Sequence, residues 1–139
     1  MKIYASPNNI HLAKFINFCE IRFGPEYYEM EVNGKKIKGR VFSANPVWSN
    51  DDRYLAIQEW NGISESVGPN MKLCVIDFEL AKQCSGIPVH GYMNPKYFEG
   101  DVLVYEKRDW STGCEIVTTI ELAISSISNW KNIFLKKNP

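Results

Sequence analysis

Tyr27-Tyr28-Glu29-Met30-Glu31-Val32-Asn33-Gly34-Lys35-Lys36-Ile37-Lys38 is the stretch that decides the fold class. Tyr28, Met30 and Val32 alternate with Tyr27, Glu29 and Glu31, the period of two that puts apolar side chains on one face of a strand. Asn33-Gly34 then separates this run from the lysine-rich one. Asn-Gly in that setting is the strongest short-range hairpin signal, because a type I′ turn needs positive φ at both central residues. Strands are therefore predicted near 26–32 and 35–43. Glutamates of the first arm face lysines of the second, each such pair contributing roughly a few tenths of a kcal/mol.

Upstream, Phe15, Cys19, Ile21 and Phe23 share one side at period two, interrupted by Asn17. A short helical turn near Asn8–Lys14 followed by a strand is expected, with a helix over Asn9–Phe18 capped by Ser6 or Asn8 as the alternative and Gly24-Pro25 as the break. Downstream, Arg40–Ser43 reads as a strand ended by Asn45-Pro46. Arg53–Trp60 reads as a central one, with Leu55 and Ile57 on one face and Tyr54, Ala56 and Trp60 on the other. Asn61 to Asn70 is polar and reads as a loop, and Leu73–Phe78 as a largely buried strand. Glu79 to Cys84 fits either a helical turn or an outer strand, and Gly86 to Pro95 reads as irregular. Val102–Glu106 and Ile116–Ile120 are two further strands. Ile127, Trp130, Ile133 and Phe134 have helical spacing, which predicts a closing helix over Ser125–Lys137. The expectation is one mainly β domain over residues 1–139, an antiparallel sheet or sandwich of about seven strands with short peripheral helices.

A chain of 139 residues can bury a core without staples. No apolar run exceeds four residues, far short of the roughly 20 that span a bilayer. The first seven residues lack the apolar core of a secretory signal, so a cytoplasmic location is expected. The same reasoning predicts four free thiols at Cys19, Cys74, Cys84 and Cys114, with Cys19 and Cys74 buried. Net charge is zero, which argues against a phosphate-driven nucleic-acid binder. The zero hides an asymmetry: residues 51–125 hold six Lys/Arg against twelve Asp/Glu.

Pro46-Val47-Trp48-Ser49-Asn50-Asp51-Asp52-Arg53-Tyr54-Leu55-Ala56-Ile57 resembles the opening of a TolB-type or WD-like β-propeller blade. In such blades a Pro-x-Trp-Ser-x-Asp-Gly turn leads into a strand of the Lys/Arg-Tyr-Leu-Ala kind. Lys72-Leu73-Cys74-Val75-Ile76-Asp77 is similar to the next blade strand, so the resemblance spans roughly residues 46–80. Asp52 stands where the family has glycine, and a long insertion separates Trp60 from Lys72. A propeller needs at least four four-stranded blades, more than this length supplies, so blade-like hairpins in a free-standing sheet are implied. Independently of the family, Ser49 and Asp51 suit an Asx- or Ser-type turn with Trp48 packed beneath.

Catalytic signatures are sparse. His11 and His90 are the only histidines, and neither lies in a nucleophile-elbow or cysteine-protease motif. No Cys-x-x-Cys or His-x-x-x-His pair points to a metal, and no glycine-rich phosphate loop points to a nucleotide. Neither metal nor cofactor is expected. Asp51, Asp52, Glu59, Glu65, Asp77 and Glu79 fit turn capping and solvation better than paired acid–base chemistry. Tyr97-Phe98 and Trp110 sit beside basic residues, but Glu99, Asp101, Glu106 and Asp109 cancel that charge, so stacked nucleic-acid bases are not expected.

The expected function is therefore binding. An acidic middle section in a small chain fits an immunity protein, which neutralises a bacterial toxin, for instance a nuclease with a basic cleft. The expected partner-binding residues are Asp51, Asp52, Glu59, Trp60, Glu65, Asp109 and Trp110. Trp60 also continues a strand face, so contact anchor and core residue are equally compatible with its position. The alternatives are an enzyme using His90 with a nearby carboxylate and a structural subunit of a larger assembly.

Overall fold

Three antiparallel sheets account for the structure, a computed structural model that describes residues 2–19, 26–62 and 69–133. The first sheet holds β1 (Lys2–Ala5), β2 (Leu12–Cys19), β3 (Tyr27–Val32) and β4 (Lys35–Lys36) in chain order. The second holds β5 (Val47–Trp48), β6 (Tyr54–Trp60), β7 (Met71–Asp77) and β8 (Lys82–Ser85), with β12 (Lys131–Asn132) added beside β8. The third is the meander β9 (Gly91–Glu99), β10 (Val102–Asp109) and β11 (Ile116–Ala123).

The mainly β, antiparallel expectation holds, while its count does not: the described residues form twelve strands rather than about seven. They contain no α-helix, only a 3-10 turn at Ile124–Ser126, and hence no helix able to cross a membrane. The helical spacing after Ser125 instead serves an extended chain, because β12 completes the edge of β8 and Ile133 enters the core. Residues 134–137 of the expected helix lie outside the described residues. Near the amino terminus the helical turn is replaced by a tight turn, with the Ser6 hydroxyl accepting from the Ile10 and His11 amides at 3.2 and 3.0 Å. β2 starts at once after it.

The Asn33-Gly34 turn joins β3 to β4 with φ of 49° and 83°, as the hairpin signal predicts. Lys36 meets Glu29 at 2.9 Å across the two arms. Beyond Ile37, whose amide still donates to the Met30 carbonyl at 2.9 Å, the second arm leaves the ladder, and Val41–Ser43 does something a hairpin arm cannot. Phe42 exchanges two 2.8 Å backbone hydrogen bonds with Tyr28, while Ser43 donates to Gln58 and Trp60 donates to Val41 on the other side. This segment joins the first sheet to the second.

The second sheet is the middle layer. On β6, Leu55 and Ile57 point toward the first sheet and meet Ala13, Phe15, Met30 and Phe42. Ala56 points the other way, with Leu73, Val75 and Cys84, onto Met93, Phe98 and Leu103 of the third sheet. Burial on both faces explains why β6 and β7 read as apolar on both sides.

Two departures have local causes. In β2 the register shifts between Ile16 and Cys19, and Asn17 sits at φ 54°, so the period-two face breaks and Cys19 is exposed rather than buried. Ile21 and Phe23 lie outside the described residues. Pro95, at the end of the stretch expected to be irregular, occupies a strand because β9 carries a bulge there, opposite Val104 and Tyr105.

Cys74 and Cys84 are buried on opposite faces of the second sheet, since Val75, not Cys74, pairs with Cys84. They do not form a disulfide in this fold. Burial pushes the Cys74 thiol up to about 12 and raises that of Cys84.

Two measurements check this architecture. Gly34→Val forces a β-branched residue to φ near +83° and should cost on the order of 1 kcal/mol or more in chemical unfolding. In the native protein Cys19 and Cys114 should react quickly with a thiol reagent and Cys74 and Cys84 slowly, with all four reacting after denaturation. Four equally fast thiols would refute the three-layer packing.

Candidate functional site

The six described residues of the seven expected to meet a partner do not form one surface. Asp51 is exposed at the β5–β6 turn, where it accepts the Ser49 hydroxyl at 2.6 Å and the Arg53 amide at 3.2 Å. The Ser49 hydroxyl also accepts from the Tyr54 amide. These are the turn-closing roles the Trp-Ser-Asn-Asp pattern implies, and they hold the Asp51 carboxyl below its usual range. Asp52 is buried at φ 66°, where its two oxygens take the Asn8 amide at 2.8 Å and the Asn8 side chain at 2.7 Å. The first turn of the chain is thereby pinned to the second sheet, with His11 stacked on Phe78 at 4.4 Å.

At the other end of β6, roughly 20 Å away at strand rise, Glu59 is 3% exposed. Arg40 binds it in a fork, Nε to Oε2 and Nη2 to Oε1, both at 2.7 Å. The same Nη2 approaches Gln83, Ser85 and Cys74. Burial alone would depress the Arg40 guanidinium, but the Glu59 bonds carry it above the usual arginine value. Trp60 is also 3% exposed and belongs to the core, paired with Met71. Glu65 lies outside the described residues.

Asp109 and Trp110 stand at the tip of the third sheet. Asp109 accepts the Ser111 hydroxyl at 2.6 Å and its amide at 2.8 Å, bonds that hold its carboxyl below the usual range. Trp110 is half-buried, 5.3 Å edge-on to Tyr92 and 6.3 Å from the His90 ring. Its seat depends on Gly91: a Cβ there would fall 1.9 Å from the Arg108 carbonyl oxygen and 3.3 Å from the Trp110 ring.

The two tryptophans are brought together by residues the sequence did not single out. Tyr27 lies edge-on to Trp60 at 6.3 Å, and Tyr92 packs against the Trp60–Met71 pair and in turn against Trp110. A row Tyr27–Trp60–Tyr92–Trp110 results, with every member but Trp60 half-buried. Tyr92 is not expected here from the sequence because it falls in the stretch that reads as irregular. Around the Trp110 end, Arg108 is bound by Glu106 at 2.9 Å and Glu115 at 3.4 Å, so its charge is covered.

Beside the row a cleft of about 630 Å³ opens between the second and third sheets. Leu73, Val75, Met93 and Leu122 form its apolar floor, and His90, Lys107, Asp109 and Ser111 stand on one rim. Ser111 gives its hydroxyl to Asp109 rather than to His90, so the three do not form a proton relay. Among the described residues no group of three His, Cys, Asp or Glu side chains converges as metal ligands.

The Asp52 anchor predicts a pH dependence. Bonds from Ser6 and Asn8 lower its folded value, so its contribution to stability is whole above the ordinary carboxyl range and is lost as pH falls through the depressed value. Asp52→Asn keeps the shape and tolerates the left-handed φ. It should lower the unfolding midpoint at pH 7 and narrow the gap between midpoints at pH 7 and pH 3. An unchanged gap would show that the Asp52 charge does not anchor the turn.

Comparison with protein-family models, with curated proteins and with solved structures gives no match to this chain.

Proposed function

We propose that this chain works by binding a protein partner, as an immunity protein that neutralises a bacterial toxin, with the aromatic end of the molecule as its contact. The observation that supports this is the row Tyr27–Trp60–Tyr92–Trp110. Interfaces draw most of their energy from a few Trp, Tyr and Arg side chains held rigidly at the centre of the contact. Here the buried Trp60 is the footing, and Tyr92 and Trp110 are the groups presented. Because strands and the Gly91 contact fix the rings beforehand, little side-chain freedom remains to be lost on binding.

Charge at this end is mixed: Glu106, Asp109 and Glu115 stand with Lys107, Arg108 and Lys96, which acts on Glu106, so the rings rather than a net charge carry the contact. Asp52 and Glu59 act within the fold instead, and Asp51, across the molecule, is outside this contact. Binding is better supported than an enzymatic use of His90, whose ring makes no hydrogen bond among the described residues while Ser111 is held by Asp109. The cytoplasm, where such a toxin would be met, remains the expected location.

Co-expression with the toxin encoded beside this gene tests the proposal. The parent chain should protect the host cell. Trp110→Ala, on a half-buried tip, should leave the fold intact and weaken binding by about 30-fold, the effect of losing roughly 2 kcal/mol at a central anchor. A folded Trp110→Ala that binds and protects as well as the parent would remove this end from the contact. A parent that protects against no such toxin would overturn the immunity role.

A further inference from the structure

We infer that the recess beside Arg40 is a binding site for a small phosphate-bearing molecule, a proposal independent of the immunity role. Strand register assembles it. Glu59 pairs with Lys72 across β6 and β7, Cys74 with Ser85 across β7 and β8, and Gln83 with Lys131 across β8 and β12. Alternation puts all six on the face of the second sheet that looks toward the first. Farther along that face the core takes over, with Ile57 and Leu55. At this end the sheet face is polar and opens into a recess of about 610 Å³.

Arg40 is fixed in the recess on two sides. Its Nε and Nη2 grip Glu59, and its guanidinium lies 5.4 Å from the centre of the Phe42 ring. Every hydrogen bond it makes among the described residues uses Nε or Nη2, which leaves the two N–H groups of Nη1 uncommitted on an immobile fork. Lys72 and Lys131 border the same space, and neither forms an ion pair among the described residues. Among the described residues, three cations against the single carboxylate of Glu59 give the recess a formal charge of +2. Trp60, whose indole N–H is buried without a hydrogen-bond partner, also borders it.

A phosphate monoester fits this combination. Its dianion matches the excess charge, and a guanidinium edge flanked by two mobile ammonium groups is the donor set that recognises phosphoryl oxygens. A carboxylate would satisfy only half of the charge. The volume accommodates a phosphate with a small organic group attached. A polynucleotide would need a basic track beyond the recess, whereas the chain is neutral overall.

Titration of the full chain with inorganic phosphate and with glycerol phosphate, followed by amide and indole NMR shifts, tests the site. Both should saturate with a dissociation constant of about 1 mM or tighter, moving the Trp60 indole and Lys72 signals. Acetate at equal ionic strength should not. Lys72→Met with Lys131→Met should weaken phosphate binding at least about tenfold, while Lys96→Met, far from the recess on an exposed stretch, should not change it. Shifts that fail to saturate, acetate acting equally, or a double variant that binds as the parent does would each overturn the proposal. Should the double variant not fold, Lys131→Met alone decides by the same criterion, since it sits on an exposed two-residue strand.

Discussion

Val41, Phe42 and Ser43 commit their backbone groups to two sheets at once, and the packing of the other layers follows from that commitment. A segment bonded on one edge to Tyr28 and on the other to Gln58 and Trp60 fixes how far apart the first two sheets lie. The Phe42 side chain, wholly buried, fills the space so defined. Arg40, two residues earlier, adds the buried fork to Glu59. Such a pair contributes little net stability once desolvation is counted, but it penalises any register that leaves Glu59 unpaired. The hydrogen bonds set the spacing of the layers, and the ion pair sets which residues face each other.

The third sheet depends on the same frame at one remove. It packs on the far face of β6 and β7, and Gln58 accepts the Met93 amide at 2.6 Å through its side chain. One strand therefore holds both neighbours: the Gln58 carbonyl serves the first layer and its amide group the third. Where the third sheet overhangs the second, the cleft and the aromatic row appear. The site is thus a product of incomplete coverage at the ends of layers whose centres are close-packed.

Much of this was legible along the chain wherever one local rule acted alone. Asn33-Gly34, the two-faced β6 and the Ser49–Asp51 turn follow from turn chemistry and alternation. Rules failed where a tertiary demand outweighed them. Asn17 and Pro95 each break a strand pattern, yet both strands persist because a bulge absorbs the irregular residue. The apparent helical face after Ser125 reflects where Ile127, Trp130 and Ile133 must reach, not a helix. Of the site, Trp110 and Asp109 could be picked out by type. Tyr92 could not, and the burial of Asp52 and Glu59 is invisible without Asn8 and Arg40 as their partners. Acidic composition alone does not distinguish a solvated carboxylate from one held inside.

β12 closes the second sheet with a strand made long after its neighbour. About 46 residues separate Ser85 from Lys131, and ribosomes add roughly 5–20 residues per second, so β8 waits about 2–9 s for its outer partner. During that interval the recess beside Arg40 lacks one wall, and Ile133 has not yet reached the first core. Chaperone-accessible apolar surface therefore persists through synthesis of the entire third sheet. The order of manufacture, and not only the final packing, makes β12 and Ile133 the last of the described elements to join this fold.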